Sequence, residues 1–166
     1  MRICRVFILA LLMSAIPALA QINVGFGGVA HDASQAIEVN ADNLVMNQEA
    51  GNAVFSGNVL IVQGDLRMTA GEVTVLYDTQ EEGDGSMVRQ VNAGGGVLIT
   101  RGNDAAKGQT AVYLVRAAML TLGGNVLVTQ GSTAISGDQL VVNLATGAGT
   151  VEGRVRTVLQ PGGNTE

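Results

Sequence analysis

An all-β fold, from the group of sandwiches, jelly rolls and solenoids, is predicted by three observations. The chain repeats one motif. Gly57-Asn58-Val59-Leu60-Ile61-Val62-Gln63-Gly64 returns as Gly124-Asn125-Val126-Leu127-Val128-Thr129-Gln130-Gly131, with a weaker copy between them, Gly95-Gly96-Val97-Leu98-Ile99-Thr100-Arg101-Gly102. Repetition at a few tens of residues marks one supersecondary unit stacked on itself. Apolar side chains alternate with polar ones in short runs, the period of a half-buried strand. Glycine, asparagine and aspartate punctuate those runs at close spacing, which gives roughly fourteen strands.

Taken in order, Ile37-Glu38-Val39 is the opening strand. Residues 52–63 form a strand pair, or one strand bent around Gly57. Leu66-Arg67-Met68 and Val73-Thr74-Val75-Leu76-Tyr77 follow, each bounded by Gly or Asp. Further runs are 87–91, 97–101, 110–115, 119–122, 126–130, 139–144 and 150–159. Helix competes only over the Ala- and Leu-rich stretch 105–120, where Val112-Tyr113-Leu114-Val115 and its place in the repeat favour strand. The acidic stretch from Asp78 to Asp84 interrupts the repeat and reads as a solvated loop.

The ends carry different signals. Arg2 and Arg5 precede a short apolar run, Phe7 to Ile16, and Ala18-Leu19-Ala20 is an A-x-A pattern. This reads as a cleavable export signal over residues 1–20, cut between Ala20 and Gln21. Cys4 is the sole cysteine and leaves with the signal, so the mature fold is independent of oxidation. The glycine-rich stretch 21–35 reads as a flexible leader, and 161–166 as a frayed tail.

Composition narrows the function. Removing Arg2 and Arg5 from the formal charge of −5 leaves −7, which argues against a nucleic-acid surface. The aromatics left after the signal are Phe26, Phe55, Tyr77 and Tyr113, with no Trp, too few for stacking platforms. The interior is therefore aliphatic.

Facing follows from parity. Val59 and Ile61, Val97 and Ile99, and Val126 and Val128 share one parity and are all branched aliphatics, whereas the other parity drifts toward Thr. The first set is assigned inward, with Met68, Val73, Val75, Leu140 and Val142 continuing the lining. In a generic β domain such a set fills a dry core. Here the small, aromatic-poor lining and the exported character favour two sheets standing apart at their mouth around acyl chains. The opening strand, at Ile37 and Val39, and the closing run, at Val151, Val155 and Val158, read as unpaired edges that template another chain.

The residues also carry a resemblance. Val54-Phe55-Ser56-Gly57-Asn58-Val59 with Gln63-Gly64, Ala70 and Tyr77 resembles the opening signature of the OstA-like family of periplasmic lipopolysaccharide-transport proteins. Ile37-Glu38-Val39-Asn40-Ala41-Asp42 matches its first strand. Leu120-Thr121-Leu122-Gly123-Gly124-Asn125-Val126, Gln130 and Ile135-Ser136-Gly137-Asp138 match its second half, and Arg154 to Pro161 its last strand. The resemblance implies a twisted β-jelly roll of short antiparallel strands over 36–160, open at both ends, binding the lipid A part of lipopolysaccharide.

By that resemblance the lipid-facing positions are Ile37, Val39, Phe55, Val59, Ile61, Met68, Val73, Val75, Ile99, Val126 and Val128. The implied partners are lipopolysaccharide, a similarly folded inner-membrane-anchored subunit of the transport (Lpt) system, the N-terminal domain of its outer-membrane translocon, and further copies joined head to tail. The implied location is the periplasm.

Catalytic and metal chemistry has little support. His31 is the only histidine, no thiol survives the signal, and Ser132 and Ser136 lack a base. No cofactor is implied. The competing readings are a structural β-solenoid of the cell surface with a sealed core and, more weakly, an exported hydrolase.

Overall fold

A computed structural model describes residues 22–25, 32, 34–78 and 88–159. The expected signal segment with its Ala20–Gln21 cut, His31, most of the acidic loop and the C-terminal tail lie outside these residues.

The described residues form thirteen strands, β1 Ile22–Gly25, β2 Glu38–Asn40, β3 Asn43–Asn47, β4 Asn52–Gln63, β5 Leu66–Tyr77, β6 Val88–Gly94, β7 Val97–Arg101, β8 Asp104–Gly108, β9 Thr110–Leu114, β10 Met119–Gln130, β11 Thr133–Asn143, β12 Ala148–Glu152 and β13 Arg156–Leu159. They hydrogen-bond into one sheet. Every pairing is antiparallel. The stretch 105–120 is strand rather than helix: β8, β9 and the start of β10 occupy it.

A crease divides the sheet into two halves that share one core. The first half runs β3, β4 (52–56), β5 (72–77), β6, β9, β10 (119–123), β11 (139–143), β12, β1. The second runs β2, β4 (59–63), β5 (66–70), β7, β8, β10 (126–130), β11 (133–137), β13. Thus four long strands cross the crease and the short ones end at it. This is the jelly roll the sequence implies.

The repeat now has a physical meaning. Each copy begins at the crease with two consecutive left-handed residues, Gly57-Asn58 (φ 78 and 47), Gly95-Gly96 (76 and 86) and Gly124-Asn125 (80 and 50). Glycine and asparagine are the residues that tolerate that region. In β4 and β10 this pair is a bulge, seen as a register shift between Ser56 and Val59 and between Gly123 and Val126. The bulge bends the strand into the other half. Asp42 fastens the crease: its amide donates to Gly57 O at 3.0 Å, and its carboxylate accepts from Asn58 Nδ2 at 2.8 Å.

Two expectations are corrected. Residues 21–35 are not leader throughout, because Ile22–Gly25 pairs with β12 in the register Ile22↔Val151 to Gly25↔Ala148. A bare strand edge leaves amides and carbonyls unpaired, and a β-prone run satisfies them. For the same reason Val151 is not on an open edge. Its strand lies between β11 and β1, and the side chain is fully buried. Within 150–159 the outer strand is β13, which pairs with β11. At the other end β2 and β3 each pair with β4, so Val39 lies on a terminal strand. Ile37 sits just before it.

Candidate functional site

The candidate site is the space between the two half-sheets. Val59, Ile61 and Met68 project into it from the second half, as do Ile99, Val126 and Val128; Val73 and Val75 project from the first. All eight are buried, and they belong to one hydrophobic cluster that also includes Leu140 and Val142. Ile37, Val39 and Phe55 pack against the same cluster but are half-buried, near the β2–β3 end.

One narrow cleft enters this interior. The cleft lined by Ile37, Ile61, Gln63, Leu66, Met68, Val91 and Tyr113 measures about 10 Å³, space for about one water molecule. Leu66, Leu120, Leu122, Leu140 and Leu144 are buried beside the small side chains and narrow the space between the half-sheets.

Three polar side chains accompany this apolar lining at the rim, the mouth opposite the crease. Gln63 and Arg101, 2% and 1% exposed, are the buried polar residues of the described chain. The Tyr113 hydroxyl on β9 donates to Gln63 Oε1 at 3.2 Å, and Gln63 Nε2 donates to Gln35 O at 2.9 Å. Arg101 Nε pairs with Asp65 Oδ2 at 3.0 Å, and its Nη1 donates to Leu144 O at 3.4 Å. No buried side-chain nitrogen or oxygen among the described residues lacks a partner. Sequence reasoning missed Gln63, Arg101 and Tyr113 as site residues. The available signal was the polar residue that closes each otherwise aliphatic copy.

Burial raises the Tyr113 phenol above its ordinary 10.0. A raised folded-state value means that the neutral phenol's contribution is complete below the unfolded value and is lost as pH climbs through the folded one. Tyr113→Phe is therefore expected to flatten the alkaline loss of stability, read as urea midpoints at about pH 8 and about pH 11. An unchanged alkaline slope would show that other groups govern it.

Elsewhere the surface is apolar on two of the terminal strands. Leu44, Val45 and Met46 on β3 are exposed, as are Val158 and Leu159 on β13. Of the acidic stretch, Asp78 is described and pairs with Arg116 at 3.1 Å. The Ser136 hydroxyl donates to Arg156 O at 3.4 Å. No cluster of His, Cys, Asp or Glu able to hold a metal occurs among the described residues.

Comparison with known proteins agrees with this architecture. Residues 38–148 match the family model described as LptA/(LptD N-terminal domain) LPS transport protein. An uncharacterised protein of Rhizobium meliloti (strain 1021) is 28% identical over 137 residues, 76% of this chain and 72% of that one. The LPS-assembly protein LptD of Salmonella choleraesuis (strain SC-B67) is 46% identical over 61 residues, 37% of this chain and 8% of that protein's length. Among solved structures, LptH of Pseudomonas aeruginosa, described as the LptA-homologous periplasmic component of the lipopolysaccharide transport device, superposes with a TM-score of 0.68. That match covers 78% of this chain and 99% of LptH at 22% identity. With the family model spanning both half-sheets from β2 to the start of β12, this chain belongs to the LptA/LptD N-terminal-domain family of lipopolysaccharide transport proteins.

Proposed function

We propose that the chain is a periplasmic carrier that takes the acyl chains of lipid A between its half-sheets and passes lipopolysaccharide along a bridge of similarly folded proteins. The bridge joins an inner-membrane-anchored Lpt subunit to the N-terminal domain of the outer-membrane translocon. One observation carries this reading: a single aliphatic face continues from β2 to β12, with half-buried apolar side chains where it meets the β2–β3 end. Burying about a dozen methylenes of one acyl chain is worth on the order of 10 kcal/mol. No basic patch is required for that gain.

The test uses the half-buried positions, which tolerate a probe. A photoreactive residue at Phe55 or Ile37 is expected to crosslink to lipopolysaccharide, and one at the outward Leu98 is not. Equal crosslinking at all three positions would refute the assignment of the inner face. For assembly, the terminal strands β2 and β3 at one end and β13 at the other are the surfaces that join copies head to tail. Val155 precedes β13 and packs half-buried against the core, so crosslinks between residue 39 of one copy and the exposed 158 of the next test this.

A second reading is favoured by the narrowness of the cleft: a structural repeat protein with a sealed core. Native mass spectrometry separates the two. Co-purifying glycolipid supports the carrier, and none supports the sealed core.

A further inference from the structure

The polar residue that closes each copy of the motif has a role that the aliphatic lining does not supply. Gln63, Arg101 and Gln130 each precede the left-handed glycine of a two-residue hairpin turn: Gly64, Gly102 and Gly131. Their strands β4, β7 and β10 place them in a row along the rim of the second half-sheet. An inward position at a strand end would ordinarily be aliphatic, as its neighbours two residues back are (Ile61, Ile99 and Val128). Instead all three side chains reach groups of the first half-sheet. Gln63 accepts from Tyr113 of β9. Arg101 donates to the carbonyl of Leu144, beyond the end of β11. Gln130 Nε2 donates to the carbonyl of Gly25, the last residue of β1, and to Asp104 Oδ2 at 3.2 Å.

We infer that this row is a polar clasp that holds the two rims together and must part for an acyl chain to pass between the half-sheets. Apolar contacts are non-directional and leave the separation of the halves adjustable. Hydrogen bonds fix it, because they fail beyond a narrow range of distance and angle. Gln130 is half-buried, so water replaces its lost partners at little cost, whereas Gln63 and Arg101 are buried and their bonds part only as the rim itself opens to water. A clasp of a few such bonds therefore sets the separation of the rims and yields when hydrocarbon replaces the contacts between the halves. Gln63 and Tyr113, joined by one of these bonds, both line the cleft. The inference rests on the carrier reading and adds how the interior opens.

The test locks and loosens the same mouth. Cys4, the sole cysteine of the sequence, is replaced by Ser. Asn103→Cys and Ala145→Cys, on exposed turns of opposite rims, are then joined by a short bis-maleimide. Uptake of fluorescently acylated lipopolysaccharide is followed by rapid mixing. Joining the rims is expected to slow uptake by about tenfold or more, because the open fraction is removed. Tyr113→Phe with Arg101→Met is expected to speed it by about threefold or more, because that fraction rises. Equal rates in the joined, free and loosened proteins would discard the clasp and leave the carrier intact. No uptake by the free protein would overturn the carrier reading, and the clasp with it.

Discussion

Val128→Asp is expected to lower the free energy of unfolding at pH 7 by about 4 kcal/mol or more, most of the stability of an ordinary domain. Val128 lies at the middle of the 126–130 segment of β10 with no exposed surface, opposite Ala106 of β8 and Ile135 of β11, both buried. A carboxylate there meets hydrocarbon on every side. Desolvation would raise its pKa above the unfolded value near 4, so its neutral form is tolerated better than its charged form. The sign is then fixed: the deficit is smallest below about pH 4 and grows as pH rises through the raised folded value. Val128→Ala, which removes two methyl groups and leaves a cavity, is expected to cost about 2 kcal/mol with no such pH dependence. Urea unfolding of both variants at about pH 4 and about pH 7 measures the difference. A charged variant within 1 kcal/mol of the parent would mean that water already reaches this face. Loss of lipid binding after a charge is placed at Ile61 or Val128 therefore reports unfolding before it reports contact, which is why the half-buried Phe55 is the informative probe position.

How far the sequence foretold this architecture depends on which strand is followed. Val59, Ile61, Val97, Ile99, Val126 and Val128 are all buried, as parity within each copy implied. The alternation is readable there because these pairs lie between the crease residues that open each copy and the turn glycine that closes it. Across the crease simple alternation fails. In β5 the inward residues are Leu66, Met68 and Ala70 and then Val73 and Val75, because Gly71 and Glu72 are both exposed. In β11 they are Ile135 and Gly137, then Leu140 and Val142. Phe55 and Val59 keep one parity only because three residues, Ser56 to Asn58, face two in β5. Such compensation belongs to the pair of strands and is invisible in either alone. The polar rim was hidden differently. Gln63 and Arg101 look like solvated turn residues until Tyr113 and Leu144 arrive from strands some 40 to 50 positions away. The cover on β12 was unreadable because Ile22–Gly25 reaches it from the far end of the chain.

Two glycines of the crease make the last expectation, since the same substitution should act oppositely at them. A Cβ on Gly137 would lie 2.5 Å from Val151 Cγ1, 2.8 Å from Glu152 O and 3.2 Å from Gly153 O. Val151 is fully buried and cannot swing aside, and the two carbonyls belong to the end of β12 and the turn that leads to β13. Relief requires the backbone of that end to move, so Gly137→Ala is expected to cost about 3 kcal/mol. The loosening should concentrate in 148–159, read as faster amide hydrogen exchange there than in β4 and β5. Gly94 occupies the same crease on β6, where a Cβ would meet nothing within 4 Å and φ is not left-handed. Gly94→Ala removes freedom from the unfolded chain without crowding the folded one, and is expected to be neutral or to stabilise by about 0.5 kcal/mol. If the two variants unfold at the same denaturant concentration, the crease is not close-packed at β11. The C-terminal end, with β13 as its outer strand, would then owe its position to something other than Gly137.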